Sequence, residues 1–265
     1  MKNEIHSTAI VDPKAELEGV FVGPFCIVGP QVRLGEGTRL VSHVSIEGDT
    51  WLGKQNVVYP FATIGHPPQD LKYSNEPTRV RIGDRNQIRE SVTIHRGTPS
   101  GHSETKIGSD GLFMANCHVA HDCIVGDHVI MANCASLAGH VEIDSHAILA
   151  GLTAVHQFCK IGERAFLSGG TMVAMDVPPF CTAEGRRMGL AGLNTVGLRR
   201  AGYNAERIAT VKKIYREFFK LGVLREEALA KLTEIGGPDA QTWLAFAKRS
   251  TRGILRPLLD LEDGD

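Results

Sequence analysis

Aromatic side chains are scarce in this sequence, at 6% of its 265 residues, while glycine is plentiful at 29. That balance suits a fold with tight corners and narrow interior slots. The six cysteines, Cys26, Cys117, Cys123, Cys134, Cys159 and Cys181, show no Cys-x-x-Cys spacing, so neither a zinc ribbon nor a redox pair is indicated. Formal net charge is only −1, which offers no basic excess for nucleic acid. No apolar run approaches the roughly 18 residues that span a bilayer, and "MKNEIHSTAIVD" holds charges where a signal peptide needs an apolar stretch. These absences leave a soluble, reduced, cytoplasmic protein as the expectation. The chain is also long enough to bury a sizeable core.

What the sequence does have is a period. From Ile107 a large apolar residue returns every sixth position: Phe113, Val119, Val125, Met131, Leu137, and so on to Val173. Four residues after each stands something small or β-branched: Gly111, Cys117, Cys123, Val129, Ala135, Val141 and onward to Val177. The same register runs earlier from Val22 to Ile64 and resumes at Ile82, Ile88 and Ile94. Neither a helical period nor strand alternation fits, but a parallel β-solenoid of hexads does. We expect it over residues 1–185, interrupted by extruded loops at 66–81 and 97–106, where function concentrates in a rigid scaffold.

Beyond "DVPPF" the hexads stop. Three helices are expected in an α-helical domain over 192–256: one capped near Asn204, "REEALAKLTEI", and one following Pro238. This domain would cover the open end of the solenoid. It holds 13 Lys/Arg against 6 Asp/Glu, whereas 257–265 is an acidic tail of net charge −4. Solvated helix faces or a docking surface for an acidic partner both fit that charge.

Six of the eleven histidines fall between 118 and 156. If a coil takes three hexads, residues 18 apart stack at the strand spacing of about 4.8 Å. Asp122 then lies against His140 and His121 beneath Gly139, while Asn133, Gly151 and Gly169 form a second column with little side chain. His121 followed by Asp122 suits an imidazole base oriented by a carboxylate, and equally a hydrogen-bonded surface histidine. His118 faces outward. Cys117 and Cys123 sit on the small interior track and read as core. The histidine cluster could supply the three convergent ligands a zinc site needs, but it lacks the ligand spacing of the gamma-class carbonic anhydrases built on such a solenoid, so no metal is assigned.

The hexad pattern resembles the hexapeptide-repeat acyltransferases, whose solenoid is a left-handed parallel β-helix. The strings "QDLKY", "EPTRVRIGDRNQIRESVTIHRGT", "HVAHDC", "LAGHV", "TAVHQFC", "DVPPF" and "RSTRG" together resemble the UDP-N-acetylglucosamine acyltransferases over nearly the whole chain. The resemblance implies transfer of an (R)-3-hydroxyacyl group from acyl carrier protein to the 3-OH of UDP-N-acetylglucosamine, the first step of lipid A synthesis. It implies a homotrimer with sites between solenoids, no cofactor, no nucleic acid and no stable membrane insertion. By position, His121 becomes the base, Asp122 its orienting partner and Gly139 N–H the oxyanion donor. Asp70, Lys72, His118, His140 and Gln157 become substrate contacts, Asn194 and Arg200 the diphosphate contacts, and Gly169 the reader of acyl length, an open glycine implying a longer chain. Val196 and Ala201 depart from the family where an acidic and a further basic residue occur. His66, in "GHPPQD", bears on sugar recognition, a 3-amino sugar included, or is plain loop variation.

Three rivals differ in class. A zinc hydratase on the same solenoid would bind metal, and a non-catalytic scaffold would be indifferent to loss of His121. The acyltransferase acting on the sugar 2-amine carries an extra N-terminal uridine-binding domain, whereas the hexads here begin near residue 10.

Overall fold

A computed structural model describes residues 2–185 and 189–258. Each hexad forms one short strand that pairs in parallel with the strand one coil away. His118–Val119 pairs with Ser136–Leu137, and that strand with Ala154–Val155. The strands make sheets of 11, 9 and 8 members, the three faces of a left-handed parallel β-helix. The two sequence tracks are its interior: Phe113, Val119, Met131 and Leu137 are 0% exposed, as are Cys123, Val129, Ala135 and Val141. Large residues from one track fill the slots beside small residues of the other, which is why neither can be exchanged for bulk.

Corners carry the cost of this shape. Asn116, Asp122, His128, Cys134, His140 and His146 turn the chain in the left-handed region, with φ between 56° and 63°. For a residue with a Cβ that region costs roughly 1–2 kcal/mol, offset by burial of the hexads on either side. Corner side chains stack on their counterparts one coil up. The rings of His128 and His146 lie 4.6 Å apart, and those of His140 and Phe158 4.5 Å.

The interruptions are shorter than the hexad pattern suggests. Strands Arg79–Ile82 and Glu104–Ile107 run two residues ahead of the period; Arg79–Ile82 pairs with Glu104–Ile107 on one side and with Asp49–Leu52 on the other. Thr50, Val80 and Thr105 are buried beside Leu52, Ile82 and Ile107, so a local two-residue alternation lengthens these strands. The extruded segments are therefore 67–78 and 96–103.

The parallel coil ends at Glu184. Cys181–Glu184 continues the 11-stranded face and then pairs antiparallel with Gly189–Leu193. Helix α1 (Thr195–Arg200), too short for a periodic signal, precedes the three expected helices, α2 (Ala205–Phe218), α3 (Arg225–Ile235) and α4 (Gly237–Arg249). Asn204 caps α2 by accepting from Arg207 N–H at 2.8 Å. Ile208, Val211 and Ile214 of α2, Leu232 of α3 and Trp243 of α4 form the buried faces, and Arg207 pairs with the buried Asp239 at 2.8 Å.

A C-terminal strap then returns to the solenoid. Asp176, 0% exposed, accepts from Ser250 Oγ at 2.6 Å and Thr251 N–H at 3.1 Å. Leu190 N–H donates to Arg256 carbonyl, and Leu258 N–H to Leu190 carbonyl. Hairpin and strap, rather than the helices, take up the edge of the 11-stranded face. Pro257 and Leu258 belong to this strap, so the expected acidic tail begins later, and residues 259–265 lie outside the described ones.

Candidate active site

The second loop closes over a corner. At Asp122 the chain turns left-handed with φ 60°, and its N–H donates to Thr105 Oγ1 at 2.9 Å. That places the carboxylate, 0% exposed, beneath residues 98–102. It accepts from Thr98 Oγ1 at 2.6 Å, Thr98 N–H at 3.0 Å, His102 N–H at 2.9 Å and His121 Nδ1 at 2.8 Å. Burial pushes this carboxyl up, but the bonds from His121 and Thr98 outweigh it and hold it below its ordinary range. Asp122 is therefore an anion that fixes the ring of His121. With Nδ1–H spent on Asp122, Nε2 carries the basic lone pair and has no partner among the described residues.

Gly139 lies one coil above, and here a glycine is required. A Cβ on it would stand 2.5 Å from His121 Cε1 and 2.7 Å from Nε2. The Gly139 N–H donates to no group among the described residues, while its neighbour His140 N–H bonds the His121 carbonyl at 3.0 Å. A free backbone donor thus borders the basic nitrogen. The His140 ring meets that of His121 edge-on at 5.0 Å. Burial lowers the pKa of His140 against the opposing pull of Asp122, which favours the neutral imidazole.

These groups open onto a cavity of about 870 Å³ that brings together His121, His140, Gln157 and, from the first loop, Asp70 and Lys72. Sequence reasoning missed several of its other walls: Ser100 and His102 from the second loop, Glu142 and Lys160 from the coils, and Thr251 from the strap. Position within the interruption could have signalled His102. Nothing local signals Thr251, which arrives because Asp176 holds the strap. Lys160 pairs with Glu142, and Arg249 bridges Glu142 and Asp144, so the end of α4 that leads into the strap is charge-tied to this wall.

His118 does not line the cavity; its Nδ1 bonds Thr93 Oγ1 at 2.7 Å, and its ring meets that of His95 at 5.1 Å. Asn194 and Arg200 lie elsewhere, in a second cavity of about 510 Å³ with His128, His146, Arg164, Val196 and Ala201. There Asn194 caps α1, accepting from Gly197 N–H at 3.0 Å and donating to Arg164 carbonyl at 3.1 Å. Among the described residues none lines both cavities. Gly169 is exposed on its column, where a Cβ would meet only the Gly151 carbonyl at 3.5 Å.

His121, Asp122 and His140 place their ligand atoms within 4.8 Å of one another, a distance a cation could use. The lone pairs of Asp122 are already committed to Thr98, His102 and His121. The arrangement fits an oriented base better than a metal centre. Among the described residues no helix is long and apolar enough to cross a membrane.

Comparison with known proteins converges on one group. The family profile described as UDP N-acetylglucosamine O-acyltransferase, domain 2, matches residues 176–255. The chain is similar to the solved structure of LpxA from Acinetobacter baumannii, at 44% identity over 95% of this chain and 99% of that one, with a TM-score of 0.92. It is similar to UDP-N-acetylglucosamine O-acyltransferase (LpxA) from Moraxella catarrhalis, at 42% identity over 95% and 99%, with a TM-score of 0.93. Francisella novicida UDP-N-acetylglucosamine acyltransferase matches at 36% identity over 95% and 94%, with a TM-score of 0.92.

Proposed function

The chain belongs to the UDP-N-acetylglucosamine O-acyltransferase family, and we propose that it moves an (R)-3-hydroxyacyl group from acyl carrier protein directly onto the 3-OH of UDP-N-acetylglucosamine, in the cytoplasm, opening lipid A synthesis. The observation that carries the mechanism is the 2.8 Å bond from His121 Nδ1 to the buried Asp122. It leaves Nε2 free to take the hydroxyl proton as the sugar oxygen attacks the thioester carbonyl. The new C–O bond forms, and Gly139 N–H donates to the developing oxyanion. The C–S bond then breaks, and the imidazolium returns its proton to the departing thiol. Nothing here requires a covalent enzyme intermediate: Cys117 and Cys123 are buried, and burial pushes their thiols up to about 11 and about 12.

Asp70, Lys72, His140 and Gln157 share the cavity with the base, which supports them as contacts to the sugar nucleotide. His118 lies outside this cavity, bonded to Thr93 and edge-on to His95, so it acts on the substrate through them. Asn194 and Arg200 lie in the separate cavity, which supports a homotrimer in which one protomer's diphosphate contacts complete its neighbour's site. The basic excess of residues 192–256 supports this region as the docking surface for the acidic carrier. Exposed Gly169 leaves room for a longer hydroxyacyl chain; a panel of carrier-linked chains showing best turnover at ten carbons would refute this.

The test is mass spectrometry of reactions containing UDP-N-acetylglucosamine and a mixture of 3-hydroxyacyl carrier proteins. Wild type is expected to yield an O-acylated sugar nucleotide and His121→Ala none, a loss of roughly 10²–10⁴-fold. A fully active His121→Ala would remove the base assignment. An inactive wild type would point to another acceptor, the 3-amino sugar first.

A further inference from the structure

Arg96 has no part in the mechanism above, yet it sits where the two loops meet. Its Nε donates to the Tyr73 hydroxyl at 2.8 Å, and a terminal nitrogen donates to the Gly65 carbonyl at 3.2 Å. Its backbone N–H bonds the His66 carbonyl at 3.2 Å, and its guanidinium carbon lies 5.4 Å from the centre of the Tyr73 ring. Room for this is kept at Gly48, φ 64°, where a Cβ would stand 2.7 Å from the guanidinium.

Tyr73 carries the contact into the first loop. Its hydroxyl donates to the Glu76 carbonyl at 2.6 Å. Its N–H closes a turn on the Asp70 carbonyl at 3.0 Å, and inside that turn Lys72 N–H bonds Asp70 Oδ1 at 3.0 Å. The tip itself has little else to hold it, since Leu71 and Lys72 are exposed. In the other direction, two residues along the chain from Arg96, Thr98 supplies the N–H and hydroxyl that hold Asp122. One residue thus registers the Asp70–Lys72 turn against the His121–Asp122 pair.

We propose that Arg96, acting through Tyr73, is the positioning residue for the sugar-nucleotide loop, fixing Asp70 and Lys72 in place before substrate arrives. The inference rests on the proposed function, which gives those two residues their substrate. A planar guanidinium serves the hydroxyl and the carbonyl at fixed angles, which the point charge of a lysine cannot reproduce. Without the lock, binding has to order the loop, and the cost falls on affinity for the sugar nucleotide rather than on the chemical step.

The experiment pairs steady-state kinetics with amide hydrogen exchange on wild type, Arg96→Lys, Tyr73→Phe and the double variant. Arg96→Lys is expected to raise KM for UDP-N-acetylglucosamine about tenfold, with kcat and the carrier KM changed by less than about threefold. Tyr73→Phe, which keeps the ring, should raise the sugar KM about threefold, and the double variant should be no worse than Arg96→Lys because both cut one link. Amides of residues 69–76 should exchange faster in each, with those of 117–123 unchanged. An unaltered sugar KM and unaltered loop exchange in folded Arg96→Lys would overturn the proposal. So would an equal rise in both substrates' KM with exchange raised throughout, the mark of a general structural role. If wild type does not acylate this sugar nucleotide, the proposed function fails, and loop exchange alone then decides whether the lock exists.

Discussion

Asp122 shows how much of a site one carboxylate can organise. Its bonds to Thr98, His102 and His121 draw a loop, a corner and a base into one unit. Asp122→Asn keeps the shape but turns an acceptor into a partial donor facing other donors. Turnover is expected to fall roughly 10²–10⁴-fold, read as kcat, and loop 96–103 to lose exchange protection. His95 makes a different prediction. It is 7% exposed, its Nδ1 has no partner, and burial with His118 nearby lowers its pKa to about 4. The unfolded chain protonates this histidine near pH 6.5, so the unfolded state binds the proton first. Stability is then full above about pH 6.5 and falls on the way to about pH 4, by roughly 3 kcal/mol from this residue. Melting curves of wild type and His95→Gln over that window should diverge, with the variant flatter. The pairing of His121 with Asp122 was legible from adjacency and the 18-residue stack. The environment of His95 was not, because a partner missing in three dimensions leaves no mark on the hexads.

Among the elements, those with a strong period were readable and those held by distant bonds were not. The interior tracks announce themselves because every hexad must bury its large residue in the same slot. The hairpin Cys181–Glu184/Gly189–Leu193 and the strap 250–258 lack any such repetition. The strap's position depends on Asp176, more than seventy residues away in sequence. Asp176→Ala should leave Lys160 N–H, Thr251 N–H and the Ser250 hydroxyl without an acceptor. A loss of about 3 kcal/mol is expected in chemical denaturation, with a raised KM as Thr251 leaves the cavity wall. Restoration of both quantities to wild-type values in the alanine variant would show that the strap is held by its other contacts alone.

At the scale of the whole molecule, the two cavities, which share no residue among those described, set the largest expectation. Light scattering should give three times the 28.7 kDa of one chain, and mixing inactive His121→Ala with inactive Arg200→Ala protomers should restore part of the activity, since hybrid trimers regain intact sites. A monomer with full turnover would contradict the shared site. The resemblance implied sites between solenoids, but periodicity says nothing about where Asn194 and Arg200, which follow the solenoid, come to lie. The solenoid itself imposes a grammar on insertions and deletions. Phe21–Val22 pairs with Arg39–Leu40, one full circuit later, so excising residues 21–38 would splice one circuit to the next in phase and leave the chemistry at 121–139 on its own side. Losing a single hexad between the second loop and the site, residues 107–112 for instance, would instead turn everything downstream onto the next face, carrying His121 away from the loop that completes it. The chain thus has a structural reading frame, counted in circuits, which tolerates change in length only by whole words.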